Sequence, residues 1–303
     1  MVQASHMSGP DELIPLARKA EDLGVSVLTV ADHFDDQFAP IPAMMAVAMS
    51  TSTLRVGSLV FSNDYRHPVM LAKEAATVDV FSGGRLEFGI GAGWMTEDYR
   101  TAGMNMDRPG VRISRLGESV QVILSAWSGE QFDFDGRHYQ VTEFTGAPLT
   151  HQRPHPPITI GGGGRSVLSL AGKYANTVGL NPILTSGVID ENAGPNATHE
   201  ATEEKIGWIR EAAGDRFDQI ELQTRIHLVL VTDDRDSFFE ALAGGFGLTP
   251  EQAKQTPHAL CGTSDQIADD LIERRETLGI SAVGISASAL DDMAPVIAKL
   301  AGT

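Results

Sequence analysis

Three places in this 303-residue chain combine residue types that can do chemistry with positions where a strand gives way to a loop. The first is Ala31-Asp32-His33-Phe34, which closes the short apolar run Val25 to Val30. An imidazole exchanges a proton near neutral pH, so His33 is the candidate proton donor or acceptor. Asp32 can orient that imidazole or accept a hydrogen bond from a ligand ring. The plainer readings are a strand-end histidine that satisfies loop backbone and a loop aspartate in an N-cap-like position. The second place is the stretch from Leu86 to Glu118, whose apolar opening breaks into Gly91-Ala92-Gly93-Trp94. A strand ending in small residues lets a flat ligand lie against backbone, with no Cβ in the way. Arg108 and Arg112 then stand at the start of the next helix, against the macrodipole, which makes more sense with an anion bound nearby. The third is Gly161-Gly162-Gly163-Gly164-Arg165-Ser166 at another helix start. Exposed N–H groups, the positive helix end and a guanidinium make it an anion cradle, whereas a tight strand-to-helix turn needs only one or two glycines.

The elements that carry these places alternate along the chain. Helices are predicted at Asp11 to Leu23, Pro42 to Ser50, Pro68 to Phe81, Val111 to Trp127, Ser166 to Ala175, Ala201 to Ala213, Ser264 to Leu278 and Asp292 to Leu300, from 3.6-residue periods and their caps. Strands are predicted at Val25 to Val30, Leu54 to Phe61, from Leu86, at Ile158 to Ile160, Thr177 to Leu180, Ile220 to Val231 and Ala282 to Ile285. MVQASHM leaves three or four residues for a first strand. About eight strand–helix units of this length favour a (β/α)8 TIM barrel over an open sheet, with no linker, so residues 1–303 read as one domain. Gln131 to Val141, around Asp135-Gly136, reads as a hairpin excursion. Residues 181–200 read as a polar loop insertion. In such barrels the active site lies at the C-terminal strand ends, where Asp32, His33, Ser58 to Asn63, Gly91 to Trp94 and Gly161 to Arg165 all fall.

Composition narrows the partners. A formal charge of −17 argues against nucleic acid and anionic membrane surfaces. Cys261 is the single cysteine, which excludes a disulfide framework and a cysteine metal site and reads as buried and inert. The nine histidines lack ligand spacing, so no metal is expected. Gly89-x-Gly91-x-Gly93 lacks the last glycine and the acidic partner of a dinucleotide fingerprint. With no membrane-length apolar run and no signal peptide, a cytoplasmic protein is expected.

These residues together resemble the luciferase-like monooxygenase superfamily, and within it the branch that uses the deazaflavin coenzyme F420. The likeness runs from about Asp11 to the C-terminus. It is carried by Ala20-Glu21-Asp22-Leu23-Gly24, Asp32-His33-Phe34, Arg66-His67-Pro68 with Ala72-Lys73-Glu74, Ser82 to Leu86, Gly91 to Trp94, Glu97-Asp98-Tyr99 with Gly103, Arg112 to Glu118, and Pro156-Pro157-Ile158 with Gly161 to Gly164. The resemblance implies a TIM barrel with the coenzyme ring at the strand ends and Asp32 and His33 beside it. It implies a cis non-proline peptide near Ser58-Leu59 against the ring, and Ala92 and Gly93 on the ring's floor. The phosphate falls to Gly161, Gly162, Gly163, Gly164 and Arg165 with help from Arg112, and a polyglutamate tail to Arg100, Arg108 or Arg165. The sugar-phosphate dehydrogenases of this branch carry a glutamate after the strand-four glycines, where this chain has Trp94. That departure turns the substrate toward an apolar or aromatic molecule stacked on Trp94.

The function expected from this is F420-dependent hydride transfer, with proton relay through His33 and the 181–200 loop as a lid. The alternatives are an FMN-dependent monooxygenase using oxygen and a non-catalytic flavin or deazaflavin binder. A homodimer through barrel helices is implied by the resemblance.

Overall fold

The computed structural model describes residues 1–183 and 191–302. Its contacts group into two compact units, one formed by Ala4–Arg18 and Val27–Ile160, the other by Met1–Gln3, Lys19–Ser26 and Gly161–Thr303. In both, the main ladders are parallel and strands alternate with helices, the (β/α)8 pattern that the sequence predicts.

In the first unit Val27–Val30 pairs with Arg55–Ser58, that strand with Leu86–Gly91, and Leu86–Gly91 with the start of Ile158–Gly162. Val27–Val30 and the central part of Leu86–Gly91 are buried on both faces, so they read as continuous apolar runs. Pro10, Pro40, Pro68 and Pro109 each open a helix, Pro10–Asp22, Pro40–Ser50, Pro68–Phe81 and Pro109–Ser128. Proline suits that position because its fixed φ is helical and its missing N–H has no partner to lose there. Arg85 ties the layers together, donating to the carbonyls of Ser82 (2.7 Å), Leu54 (2.8 Å) and Ala48 (2.6 Å).

The predicted strand Leu54 to Phe61 is in fact two, Arg55–Ser58 and Phe61–Ser62, separated by a cis Leu59–Val60 peptide. The cis bond therefore lies one residue beyond the expected Ser58-Leu59. Gly89 faces this kink: a Cβ there would stand 2.0 Å from the Ser58 carbonyl and 3.0 Å from Val60 Cγ1. Ser58 Oγ closes the contact by donating to the Gly89 carbonyl at 2.7 Å. The expected hairpin is present as Gln131–Asp135 and Gln140–Thr145, antiparallel, its turn held by Glu118, which accepts the backbone N–H groups of Arg137, His138 and Tyr139.

In the second unit Thr177–Leu180 pairs with Glu221–Arg225, and that strand with Ile280–Ser286. The short first strand exists: Val2 pairs with Ile285 and Gln3 with Ser286. The single strand predicted at Ile220 to Val231 is broken at Ile226-His227, and its second half, Leu228–Val231, pairs instead with Ala259–Gly262. Helices Arg235–Phe246 and Pro250–Gln255 occupy the stretch that periodicity left unassigned. Cys261 is buried in a small cluster with Phe239, Ala243 and Ala253, the inert setting expected for it. Of the 181–200 loop, Glu191–Asn196 forms a 3-10 turn and the following helix begins at His199; the lid reading falls in part on residues 184–190, outside the described residues. No described helix is long and apolar enough to cross a membrane.

Two measurements test this packing. Gly89→Ala must displace backbone, so it should lower stability by about 1–3 kcal/mol in chemical denaturation, with an unchanged m-value. Burial lowers the His258 imidazole from 6.5 to about 3. As pH falls through that window the unfolded chain takes up a proton that the fold refuses, so this group removes up to about 1.4 kcal/mol of stability per pH unit. His258→Gln should flatten the stability profile by one proton between those limits, read as the difference from wild type.

Candidate active site

Asp32 and His33 follow directly from the buried strand Val27–Val30, and the loop after the kinked strand, Ser62 to Arg66, comes up beside them. Asp32 is 5% exposed and spends its carboxylate on that loop. It accepts the Ser62 N–H at 3.0 Å and both Arg66 nitrogens, at 2.5 and 3.0 Å. A fork-to-fork pair of this kind fixes both partners in orientation as well as distance. Asp32 therefore does not orient His33; its hydrogen-bonding capacity is used within the protein.

The carboxylate on His33 is Asp98. His33 Nδ1 and Asp98 Oδ2 are 2.7 Å apart, and Asp98 is 2% exposed. The Tyr65 hydroxyl donates to the same oxygen at 2.9 Å, and the Phe34 N–H donates to Asp98 Oδ1 at 3.2 Å. Burial, then the Asp98 carboxylate, pushes the Tyr65 phenol well above the usual tyrosine range, so the hydroxyl keeps its proton and remains a donor. Trp94 meets the imidazole edge to face, ring centres 5.7 Å apart at 88°, and Phe34, half exposed, stacks on Tyr65 at 4.5 Å. The imidazole side chain itself is 17% exposed.

Asp98 lies on a short helix, Thr96–Thr101, that the sequence reading left as loop. No spacing rule links it to His33, 65 positions away. The signal available was weaker: Asp98 and Tyr65 sit in or beside motifs noted for other reasons, Glu97-Asp98-Tyr99 and Arg66-His67-Pro68.

Arg112 has partners within the protein. It is 7% exposed and donates to the carbonyls of Asp107 (2.9 Å), Ala92 (3.1 Å) and Gly93. The negative ends of three peptide dipoles compensate its charge within the protein. Gly91 and Gly93 likewise have protein reasons for lacking a side chain. A Cβ on Gly91 would lie 2.7 Å from Val60 Cγ2, and Gly93 has φ +76 with Tyr99 Oη 2.1 Å from its Cβ position. Asp64 receives Tyr99 at 3.0 Å and Arg115 at 2.8 Å, and burial followed by Asp64 pushes the Tyr99 phenol up to about 12.

In the other unit, the strand Ile158–Gly162 turns through Gly163 and Gly164 into the helix Arg165–Tyr174. Packing accounts for two of the four glycines: a Cβ would strike Val167 at Gly162 and the Pro182 carbonyl at Gly163. Among the described residues Gly161 has only ordinary contacts, nothing stands within 4 Å of a Cβ on Gly164, and no side chain caps the helix. Arg165 pairs with Glu211 at 2.8 Å, both exposed, a contact worth little that a ligand could displace. Arg100 likewise pairs with Glu97, and Arg108 is exposed as the residue before its helix. Among the described residues no acid–histidine–cysteine cluster could hold a metal.

Residues 2–236 match the family model described as luciferase-like monooxygenase, and the chain belongs to that family. An F420-dependent glucose-6-phosphate dehydrogenase of Amycolatopsis mediterranei is 30% identical over 189 residues, 59% of this chain and 54% of the relative. The chain thus spans about half the length of that relative. An FMNH2-dependent dimethylsulfone monooxygenase of Pseudomonas putida is 27% identical over 154 residues, 51% of this chain and 42% of the relative. Among solved structures, the coenzyme F420 dependent tetrahydromethanopterin reductase of Methanopyrus kandleri matches with a TM-score of 0.78 at 18% identity, covering 99% of this chain and 96% of that one. At that identity the likeness shows the fold.

The geometry separates the neighbours Asp32 and His33. Asp32→Ala leaves Arg66 without its partner and should cost roughly 3 kcal/mol in the protein without any ligand, whereas His33→Ala, which leaves Asp98 its Tyr65 and Phe34 donors, should cost about 1–2 kcal/mol. Thermal unfolding of the two variants, side by side, checks the ordering; equal losses would overturn it.

Proposed function

We propose that this chain is an F420-dependent oxidoreductase that moves a hydride between the deazaflavin and a small organic substrate. The observation that carries this reading is His33, held at Nδ1 by a buried carboxylate and faced by the edge of Trp94, at the end of a family barrel strand. The coenzyme, when bound, supplies the hydride chemistry; the protein supplies orientation and a proton site. Ser58, Leu59, Ala92 and Gly93 are assigned to the ring, with Asp32 and Arg112 behind them as supports. Gly161 to Gly164 and Arg165 are assigned to the phosphate. The fit there is an uncapped helix start with open space at Gly164.

His33 Nε2 takes or gives the proton that accompanies hydride transfer. Trp94 beside His33, with the half-exposed Phe34 stacked on Tyr65, favours an apolar or aromatic substrate. Assembly as a homodimer belongs to the same reading.

The relatives divide between F420 and FMN chemistry, and a deazaflavin does not activate oxygen. Fluorescence titration of F420 and FMN under identical conditions should give micromolar or tighter F420 binding and much weaker FMN binding. The reverse order, with substrate-dependent oxygen uptake on reduced FMN, would move the chain to the monooxygenases. With planar aromatic and alicyclic carbonyl compounds tried against glucose 6-phosphate, the former should turn over. F420 binding with no turnover across that panel would mark a binder without catalysis. His33→Ala should retain coenzyme affinity and lose 100-fold or more in kcat; an unchanged kcat sinks the role given to His33.

A further inference from the structure

We propose that Asp98 is a positioning residue that commits His33 to the tautomer carrying its proton on Nδ1, so that Nε2 alone exchanges the reaction's proton. The second half rests on the reading of His33 given above; the first stands on the contacts themselves. A carboxylate offers only acceptors. With Oδ2 at 2.7 Å from His33 Nδ1, the hydrogen between them belongs to the imidazole.

Asp98 has little freedom to do otherwise. It is 2% exposed, and two further donors fix it: the Tyr65 hydroxyl on Oδ2 and the Phe34 N–H on Oδ1. The Tyr65 phenol stays protonated in this setting and cannot turn into an acceptor-only group. The Phe34 N–H is backbone and cannot reverse at all. Three donors from two separate segments therefore hold one carboxylate, and the imidazole reads its orientation from it. Trp94 packs edge-on against the ring and limits its swing. With Nδ1 used, Nε2 on the far side of the ring is the nitrogen left for a substrate.

A purely structural role would also explain burial, since Asp98 pins the loop through Phe34. Asp98→Asn distinguishes the two. The remaining oxygen is required by the Phe34 N–H, so the amide NH2 must take the place of Oδ2 and face His33 and Tyr65. The Tyr65 hydroxyl can rotate to accept. His33 Nδ1 can accept only by giving up its proton, which moves to Nε2. A shape-conserving change thus keeps the loop tie and inverts the tautomer.

The test is long-range 1H–15N correlation NMR of 15N-histidine-labelled protein without coenzyme, His33 being assigned by the signal lost in His33→Gln. The expected result is Nδ1–H for neutral His33 in wild type, the same in Tyr65→Phe, and Nε2–H in Asp98→Asn with its other histidine signals in place. Nε2–H in the wild type overturns the proposal without any variant being needed. So does an unchanged tautomer in a folded Asp98→Asn. Because the spectra involve neither coenzyme nor turnover, failure of the hydride-transfer reading leaves this result standing, and the converse holds.

Discussion

The site depends on the need to satisfy acids that the fold buries. Asp32, Asp64, Asp79 and Asp98 are all withdrawn from solvent in one unit of a chain already carrying a charge of −17. An unpaired carboxylate in such a place would cost several kcal/mol, so each recruits donors and thereby fixes a segment. Asp32 takes Ser62 and Arg66, Asp64 takes Tyr99 and Arg115, and Asp98 takes His33, Phe34 and Tyr65. Asp79 takes the backbone and side-chain nitrogens of Gln152, at 2.8 and 2.7 Å. The Ser62 to Arg66 loop is where three of these meet, with Asn63 adding a bond to the Tyr139 hydroxyl. A loop tied at five successive residues has little conformational entropy left to lose when something binds beside it.

Much of the frame could be read from the sequence. Pro68–Phe81, Thr177–Leu180 and Ser264–Leu278 fall where proline starts, burial runs and the Thr263 cap place them. Those signals are local, and local signals survive folding. What could not be read is interruption. Leu54 to Phe61 and Ile220 to Val231 mix apolar with polar residues along their whole length, and nothing in that pattern marks where the strand changes partner. Ala259–Gly262 is four residues long between two helices, below the length at which periodicity speaks.

The site was legible in its address and less so in its wiring. The barrel rule points to the strand ends, but partnerships across 65 positions carry no sequence period. Arg112 shows that one electrostatic premise can be met by more than one partner. A guanidinium at a helix start does require compensating negative potential. That potential can come from a bound anion or from backbone carbonyls, and here Ala92 and Gly93 after the strand and Asp107 before the helix provide it. A strand that ends by turning its carbonyls outward acts, to an arginine, much like an anion.

The glycines divide by the same logic. At Gly89, Gly91, Gly93, Gly162 and Gly163 a side chain would meet protein, so their absence needs no ligand to explain it. Close backbone approach is the physical reason at these positions, and Val60, Tyr99, Val167 and Pro182 are the neighbours that make it. Gly164 is different, because among the described residues nothing occupies the space and no side chain caps the helix that follows. Backbone N–H groups at a helix start without a cap must be answered by water or by a ligand. Gly164, open among the described residues, therefore marks that turn for an anion more than the length of the glycine run does.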